Sequence, residues 1–254
     1  MTKVVLVTGV SRGIGKSIVE TIIKLDDEII VYGIARSEPP LKELKRKYGG
    51  RFFYVVGDIT DDSVLKQLVG TAVEGHGKID SLIANAGVLE PVQNVNDIVA
   101  SEWKQLFNIN FFSIVSLVSI ALPYLKKTHG NILFVSSDAS DTYFNCWGAY
   151  GSSKAALNHF AMTIANEEKD VKALAVAPGI VDTQMQVEIR ENFGPKSMSE
   201  QSLKLFTGLK EDNQLLDSSV PATVYAKLAV KGIPDAINGQ YLSFDDKSLQ
   251  DFAK

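Results

Sequence analysis

The run Lys3-Val-Val-Leu-Val-Thr8-Gly9-Val-Ser-Arg-Gly13-Ile-Gly15 decides the fold. Six residues rich in Val and Leu read as a short buried strand, and the glycines that follow break it. Beyond Gly15, apolar residues return at Ile18, Ile22 and Leu25, the spacing of one helix face. Strand, glycine loop and helix in that order open a dinucleotide-binding βαβ unit. The chemistry needs glycine here for a tight turn, for close approach of backbone N–H groups to a pyrophosphate, and for close packing of helix on strand. A P-loop is the rival reading of Gly15-Lys16-Ser17, but that motif requires glycine where this chain has Val10, and Gly9 lies one residue too far away. Nucleoside triphosphate hydrolysis is therefore set aside.

The second strand, Ile29 to Ala35, ends where such a fold chooses its cofactor. An acidic residue there would bond the adenosine ribose hydroxyls, whereas a basic one meets a 2′-phosphate. The chain has Ala35-Arg36 and no acid, with a second guanidinium at Arg12 in the glycine loop. Two arginines able to face one phosphate argue for NADPH over NADH; the competing reading is that both are solvated surface residues. A polar helix over Leu41 to Tyr48 leads to a third strand, Phe52 to Val56, ending Gly57-Asp58-Ile59. Asp58 can accept from an adenine amino group with Ile59 against the ring, or it can cap the helix that starts near Asp61. A fourth strand, Ile79 to Ala84, ends in Asn85-Ala86-Gly87, small residues that leave room above the sheet or simply make a turn.

One helix is expected from near Asp97 through Leu125, with Asn108 and Asn110 inside an apolar surface. A buried amide costs roughly 1–3 kcal/mol unless bonded, so Asn110 needs a definite partner, and it could also join a water relay. Strands at Asn131 to Ser137 and Val171 to Ala177 flank a helix over Tyr150 to Glu167, and the latter strand closes in Pro178-Gly179-Ile-Val181-Asp-Thr183. Between Gln184 and Ser219 the pattern weakens into short helices expected as a lid over the crevice. A helix over Pro221 to Val230 and a strand over Gln240 to Phe244 complete the chain. The alternation predicts one α/β domain, residues 1–254: a Rossmann-type doubly wound parallel sheet with helices on both faces.

Composition fits that reading. A chain of 254 residues supports one large core, and 45% hydrophobic with 22% charged residues is ordinary for a globular protein. The net charge of −4 offers no basic excess for nucleic acid or an anionic membrane, which points to small-molecule chemistry. Cys146 is the single cysteine, so no intrachain disulfide can form, and it reads as structural filler. His76, His129 and His159 have no metal-ligand spacing. The amino terminus lacks the features of a secretory signal, and the apolar stretch Phe111 to Leu125 falls short of the roughly 20 residues that cross a bilayer. A cytoplasmic protein is expected.

Tyr150-Gly-Ser-Ser-Lys154 carries the chemistry. Residues four apart share a helix face, so the Lys154 ammonium is expected beside the Tyr150 phenol, where a positive charge favours phenolate and lowers its pKa. Ser137, at the end of the preceding strand, can hold a carbonyl oxygen while Tyr150 protonates it. A tyrosine and lysine one turn apart also occur on many solvated helices, and only their company lends them a role.

Taken together, Thr8-Gly-x-x-x-Gly13-Ile-Gly15, Asn85-Ala-Gly87, Asn110, Ser137, Tyr150-x-x-x-Lys154 and Pro178-Gly resemble the short-chain dehydrogenase/reductase family, in the family's order over residues 8–183. The resemblance implies Tyr150 as proton donor, Ser137 as the carbonyl-orienting hydroxyl, Lys154 as ribose ligand and tuner of Tyr150, and Asn110 as support for the proton relay. It assigns Gly9, Ser11, Arg12, Ile14 and Gly15 to the pyrophosphate loop, Asn85 with Ala86 and Gly87 to the adenosine-side ribose region, and Pro178, Gly179, Val181 and Thr183 to the nicotinamide side. The run from Pro178 to Gln186, with Leu215-Leu-Asp217, is similar to the branch holding sepiapterin reductase and the microbial benzil reductases. That likeness implies reduction of one carbonyl of a vicinal dicarbonyl, benzil to (S)-benzoin for instance, with reduction of a pterin side chain as the alternative. A carboxylate near the carboxyl end anchors the pterin in sepiapterin reductase, and Asp246 is the nearest candidate here. The rival from another class is a non-catalytic NADP(H)-binding redox regulator. Relatives pair through the helices that correspond to those containing Phe111 and Tyr150, which implies a homodimer or homotetramer.

Overall fold

The computed structural model describes residues 2–254. Its seven strands, β1 (Lys3–Thr8), β2 (Ile29–Ala35), β3 (Phe52–Val56), β4 (Ser81–Ala84), β5 (Asn131–Val135), β6 (Lys172–Ala177) and β7 (Tyr241–Ser243), form one sheet in the order β3-β2-β1-β4-β5-β6-β7. Every neighbouring pair is parallel. The strand order reverses between β1 and β4, and that switch point is where an open parallel sheet leaves a crevice at its carboxyl edge.

Both faces are covered, and the period of two along the strands shows it. Val5 and Val7 of β1 enter one apolar core with Ile83, Leu133 and Val176, while Val4 and Leu6 enter the other with Leu82, Ile132 and Phe134. The first core is closed by α1 (Gly13–Leu25), α2 (Glu38–Tyr48) and the helix over Ser219–Lys231; the second by α3 (Asp62–His76) and the helices over Ser113–Thr128 and Gly148–Glu167. Helix α2 begins three residues before the predicted Leu41 because Pro39 and Pro40 occupy its first turn, where a missing N–H is harmless.

The helix expected from Asp97 to Leu125 begins and ends three residues later and is interrupted. α4 (Ala100–Phe107) passes through a π turn, Asn108–Phe112, into α5 (Ser113–Thr128), a run of 29 residues long and apolar enough to cross a membrane by length and composition alone. The expectation that its apolar stretch was too short is thus corrected. Its apolarity has another destination, since Ile114, Leu117, Val118, Ala121 and Leu125 pack into the second core.

α6 (Gly148–Glu167) precedes β6, and four short helices follow it: α7 (Gln184–Glu188), α8 (Gly194–Ser197), α9 (Glu200–Glu211) and α10 (Ser219–Lys231). Residues of α4, α6 and the 184–211 segment build a third, smaller apolar cluster outside the sheet, around Trp147, Ile189 and Phe206. This segment lies over the carboxyl edge of the sheet and is tied down by a parallel bridge between Val181 and Leu216 and an ion pair of Lys210 with Asp182 at 2.8 Å.

Candidate active site

At the carboxyl edge of the sheet lies a cavity of about 720 Å³. Into it open Gly9, Ser11, Arg12, Ile14 and Gly15 from the first loop, Arg36 after β2, Asp58 and Ile59 after β3, and Asn85, Ala86 and Gly87 after β4. Ser137 after β5, Tyr150 and Lys154 on α6, and Pro178, Gly179, Val181 and Thr183 after β6 complete it. Residues scattered over 175 positions of sequence meet because the loops after the parallel strands gather at one edge and α6 brings Tyr150 and Lys154 to the same edge. Asn110 and Asp246 are the two predicted site residues that do not line it.

The glycine loop is shaped by contacts a side chain would break. A β-carbon on Gly15 would stand 2.2 Å from the carbonyl oxygen of Gly9 and 2.4 Å from Asn85 Nδ2. Asn85 braces that loop, with Nδ2 donating to the carbonyls of Thr8 (2.9 Å) and Gly9 (3.2 Å). Its amide nitrogen is thus committed to the protein, while the residue still lines the cavity. Thr8, to which no role was attached, completes the brace: its Oγ1 accepts from the backbone N–H groups of Asn85 (3.0 Å) and Ala86 (2.9 Å).

Asp58 is held within its own turn. Its carboxylate accepts from Thr60 N (2.9 Å) and Thr60 Oγ1 (2.8 Å), and these bonds hold its pKa low, with Arg36 contributing attraction. The cap of α3 is Asp61, through Ser63 N at 2.8 Å, so the helix-capping alternative for Asp58 is corrected. Arg12 is exposed and stands 4.0 Å from Glu188 of α7.

Ser137, Tyr150 and Lys154 line the same cavity. Ser137 Oγ accepts from Ala139 N at 3.2 Å as the chain leaves β5. Helix α6 approaches that turn closely because residue 151 is glycine; a β-carbon there would lie 2.4 Å from the Ala139 carbonyl oxygen. The turn is braced again by Asn158, which accepts from Ser136 Oγ (2.5 Å) and donates to Ser140 Oγ (2.8 Å), and by Tyr241 of β7 donating to the Ser137 carbonyl at 3.1 Å.

The electrostatics differ from expectation. Burial pushes the Tyr150 phenol up to about 12; the nearby Ser137 hydroxyl pulls it down and the Asp138 carboxylate pushes it further up. Lys154, 3% exposed, is lowered by burial to about 8, and its Nζ donates to the Val135 carbonyl at 2.7 Å. The predicted lowering of Tyr150 by Lys154 is therefore absent from the protein alone: Nζ lies 5.6 Å from the centre of the phenol ring, and desolvation of both groups outweighs their attraction. The phenol remains a competent acid for one purpose, since an alkoxide is a stronger base than a phenolate and the transfer of a proton to it runs downhill.

Asn110 sits in the π turn with no solvent exposure. Its Oδ1 accepts from Val88 N (2.8 Å), while Nδ2 donates to Val88 O (2.8 Å) and Ser153 Oγ (3.2 Å). The amide joins the segment after β4 to α6, one residue from Lys154. Asp246 caps a short turn through Ser248 N (2.8 Å) and Ser248 Oγ (2.5 Å), away from the cavity, which corrects its candidacy as a substrate anchor.

Residues that sequence reasoning missed form the other end of the cavity: Phe144 and Trp147 before α6, with Met185, Ile189, Phe193 and Phe206 from the 184–211 segment. Nothing in their spacing marks them, because the segment that carries most of them has no regular period.

Residues 3–194 match the family model described as short chain dehydrogenase. The chain is 75% identical over 252 residues to the uncharacterized oxidoreductase YIR035C of Saccharomyces cerevisiae, covering 99% of each. It is 53% identical over 258 residues to that organism's benzil reductase ((S)-benzoin forming) IRC24, covering 98% of each. The crystal structure of YIR035C superposes with a TM-score of 0.98, covering 99% of this chain and all of that one. A structure from the same organism described as a cytoplasmic protein with unknown function matches at 73% identity and a TM-score of 0.86, covering 99% and 100%.

Proposed function

The chain belongs to the short-chain dehydrogenase family, and on that footing we propose that it is an NADPH-dependent carbonyl reductase acting on one carbonyl of a vicinal dicarbonyl or related ketone, of the benzil to (S)-benzoin type. The observation that carries this is the meeting of Ser137, Tyr150 and Lys154 in one cavity with the glycine loop. The likeness to a benzil reductase at 53% identity supports the substrate class.

The residues present fit a phosphorylated dinucleotide. The cradle between Gly9, Gly15 and Asn85 leaves no room for a side chain, and β2 is followed by Arg36 rather than a carboxylate. Arg12 and Arg36 both line the cavity, where their guanidiniums would hold a 2′-phosphate. NADPH, when bound, supplies the hydride. The Ser137 hydroxyl donates to the substrate oxygen and fixes its direction, so that negative charge develops where a donor already stands. Tyr150 then gives its proton to that oxygen. Lys154, held by the Val135 carbonyl, places a positive charge beneath the phenolate that remains. Asn110 fixes the spacing between the segment after β4 and α6, and thereby the position of Lys154.

Three measurements test this reading. Tyr150→Phe should bind NADPH nearly as the parent does while losing about 10²–10⁴ in turnover on a diketone, the range of a general acid; near-normal turnover overturns the assignment. Comparing NADPH with NADH in the parent and in Arg12→Ala/Arg36→Ala tests the cofactor, and an unchanged preference in the double variant sinks it. Loss of NADPH absorbance on adding a diketone separates a reductase from a redox regulator. Pairing into a homodimer or homotetramer is proposed from the exposed Phe112 beside α5 and Met162 on α6, with light scattering as the check. A cytoplasmic location is proposed from the neighbour so described, with cell fractionation as the check.

A further inference from the structure

Beside Tyr150 the cavity is lined by three aromatic rings from two separate parts of the chain. The Phe144 and Trp147 rings stack at 5.0 Å and 21°, and Trp147 and Phe206 stack at 5.2 Å and 19°. Phe144 and Phe206 are themselves 6.2 Å apart, a separation too small for rings on opposite sides of the indole, so both lie on one side of it. Trp147 meets the Tyr150 ring edge-on at 5.8 Å and 87°. Of the three, Trp147 and Phe206 are buried and Phe144 is half-buried, and all three line the cavity.

The wall is held in place rather than loosely assembled. Cys146, between the two rings of the 144–147 turn, has the left-handed φ of +66°, a conformation that persists in a side-chain-bearing residue only where its surroundings impose it. Its Sγ donates to the Ser197 carbonyl at 3.0 Å, and Asn145 Oδ1 accepts from Ser199 N at 2.7 Å. These bonds clamp the turn to the segment whose α9 delivers Phe206.

Resting on the carbonyl-reductase reading above, we propose that Phe144, Trp147 and Phe206 are the specificity-determining residues of this site. The half-exposed Phe144 takes an aryl group of the substrate while the carbonyl next to that aryl group lies at Ser137 and Tyr150. An aromatic ring offered to a fixed aromatic face gains contact area and edge or stacking attraction that an alkyl chain of similar reach does not. The wall therefore selects aryl ketones over alkyl ones. In an unsymmetrical diketone it also determines which of the two carbonyls is reduced.

The test uses the full-length protein with NADPH and two diketones, 1-phenyl-1,2-propanedione and 2,3-butanedione, in the parent, Phe144→Leu and Phe206→Leu. Leucine keeps an apolar side chain and removes the ring. The expected result is a fall of about tenfold in the ratio of aryl to alkyl kcat/KM in Phe144→Leu, with the same direction in Phe206→Leu. Chromatography of the phenylpropanedione products should show one dominant hydroxyketone regioisomer from the parent and a mixture from Phe144→Leu. Each quantity is a ratio within one preparation, so partial loss of folded protein does not shift it. An unchanged ratio and an unchanged regioisomer distribution in both variants overturn the wall while leaving the reductase reading intact. If the parent oxidises NADPH with neither diketone, the reductase reading fails, and calorimetric titration of benzoin and acetoin onto the NADP⁺-loaded chain decides the wall. Tighter benzoin binding that is lost in Phe144→Leu supports it; equal binding of the two ligands, or no change in the variant, overturns it.

Discussion

Lys154 offers a prediction that runs against intuition, because replacing it should make the protein more stable. Burial lowers the ammonium from the ordinary lysine value of 10.5 to about 8, and among the described residues its one hydrogen bond is to the Val135 carbonyl. Keeping that charge in a desolvated site costs the folded protein about 3 kcal/mol at pH 7. Lys154→Met keeps the aliphatic stem and removes the charge, at the expense of a buried carbonyl left unbonded, about 1–2 kcal/mol. The variant should therefore be about 1–2 kcal/mol more stable than the parent at pH 7, although it loses activity.

The sign should reverse with pH. Below about 8 the lysine is charged in both folded and unfolded chains, and the whole penalty applies. Between about 8 and 10.5 the folded chain gives up its proton while the unfolded chain still holds it, so stability rises with pH. Above 10.5 the penalty is gone, the neutral amine still donates to Val135, and the parent should be the more stable by about 1 kcal/mol. Urea unfolding of both proteins at pH 7, 9 and 10.5 measures this, with the difference cancelling every other titrating group. A variant no more stable than the parent at pH 7, or two curves parallel across that range, would refute the reasoning.

Three further predictions follow from the same geometry. Gly15→Ala puts a β-carbon 2.2 Å from the Gly9 carbonyl oxygen, so the loop must move; destabilisation of about 1–3 kcal/mol in thermal unfolding and a raised KM for NADPH are expected, and a silent substitution would contradict the packing. Asn110→Ala strips partners from both polar groups of Val88 and from Ser153 Oγ, for a loss of about 2–4 kcal/mol in urea unfolding, with Asn110→Asp intermediate because it keeps the acceptor. Because Lys154 sheds its proton near 8, kcat/KM for the ketone at saturating NADPH should fall as pH rises through that value; a profile flat to pH 9.5 would show that its charge plays no part.

Much of this protein was readable without coordinates, and the reason is periodicity. The Val/Leu run before Gly9, the glycine loop and the 3.6-residue spacing through Ile18 and Ile22 are local signals, each set by sterics within a few residues. Repeated seven times in alternation with helices, they determine a parallel sheet, and a parallel sheet gathers whatever follows its strands at one edge. Gly9, Arg36, Asp58, Asn85, Ser137 and Pro178 all follow strand ends, so their meeting was legible from the order of elements.

Three things lay outside any local window. Helix α2 began three residues before its predicted start, because proline is tolerated in a first turn, and the run through α4 and α5 was displaced by three residues and interrupted by a π turn at Asn110. The Tyr150 phenol is raised where its lysine neighbour was expected to lower it, since spacing along a helix gives the distance between two groups but not how much water surrounds them. The aromatic wall needed Phe206 to be folded against residues about 60 positions earlier. Sequence alone determined which backbone shapes are allowed and in what order they come; the tertiary structure decided which groups are dry, because burial belongs to the assembled fold and to no stretch of the chain.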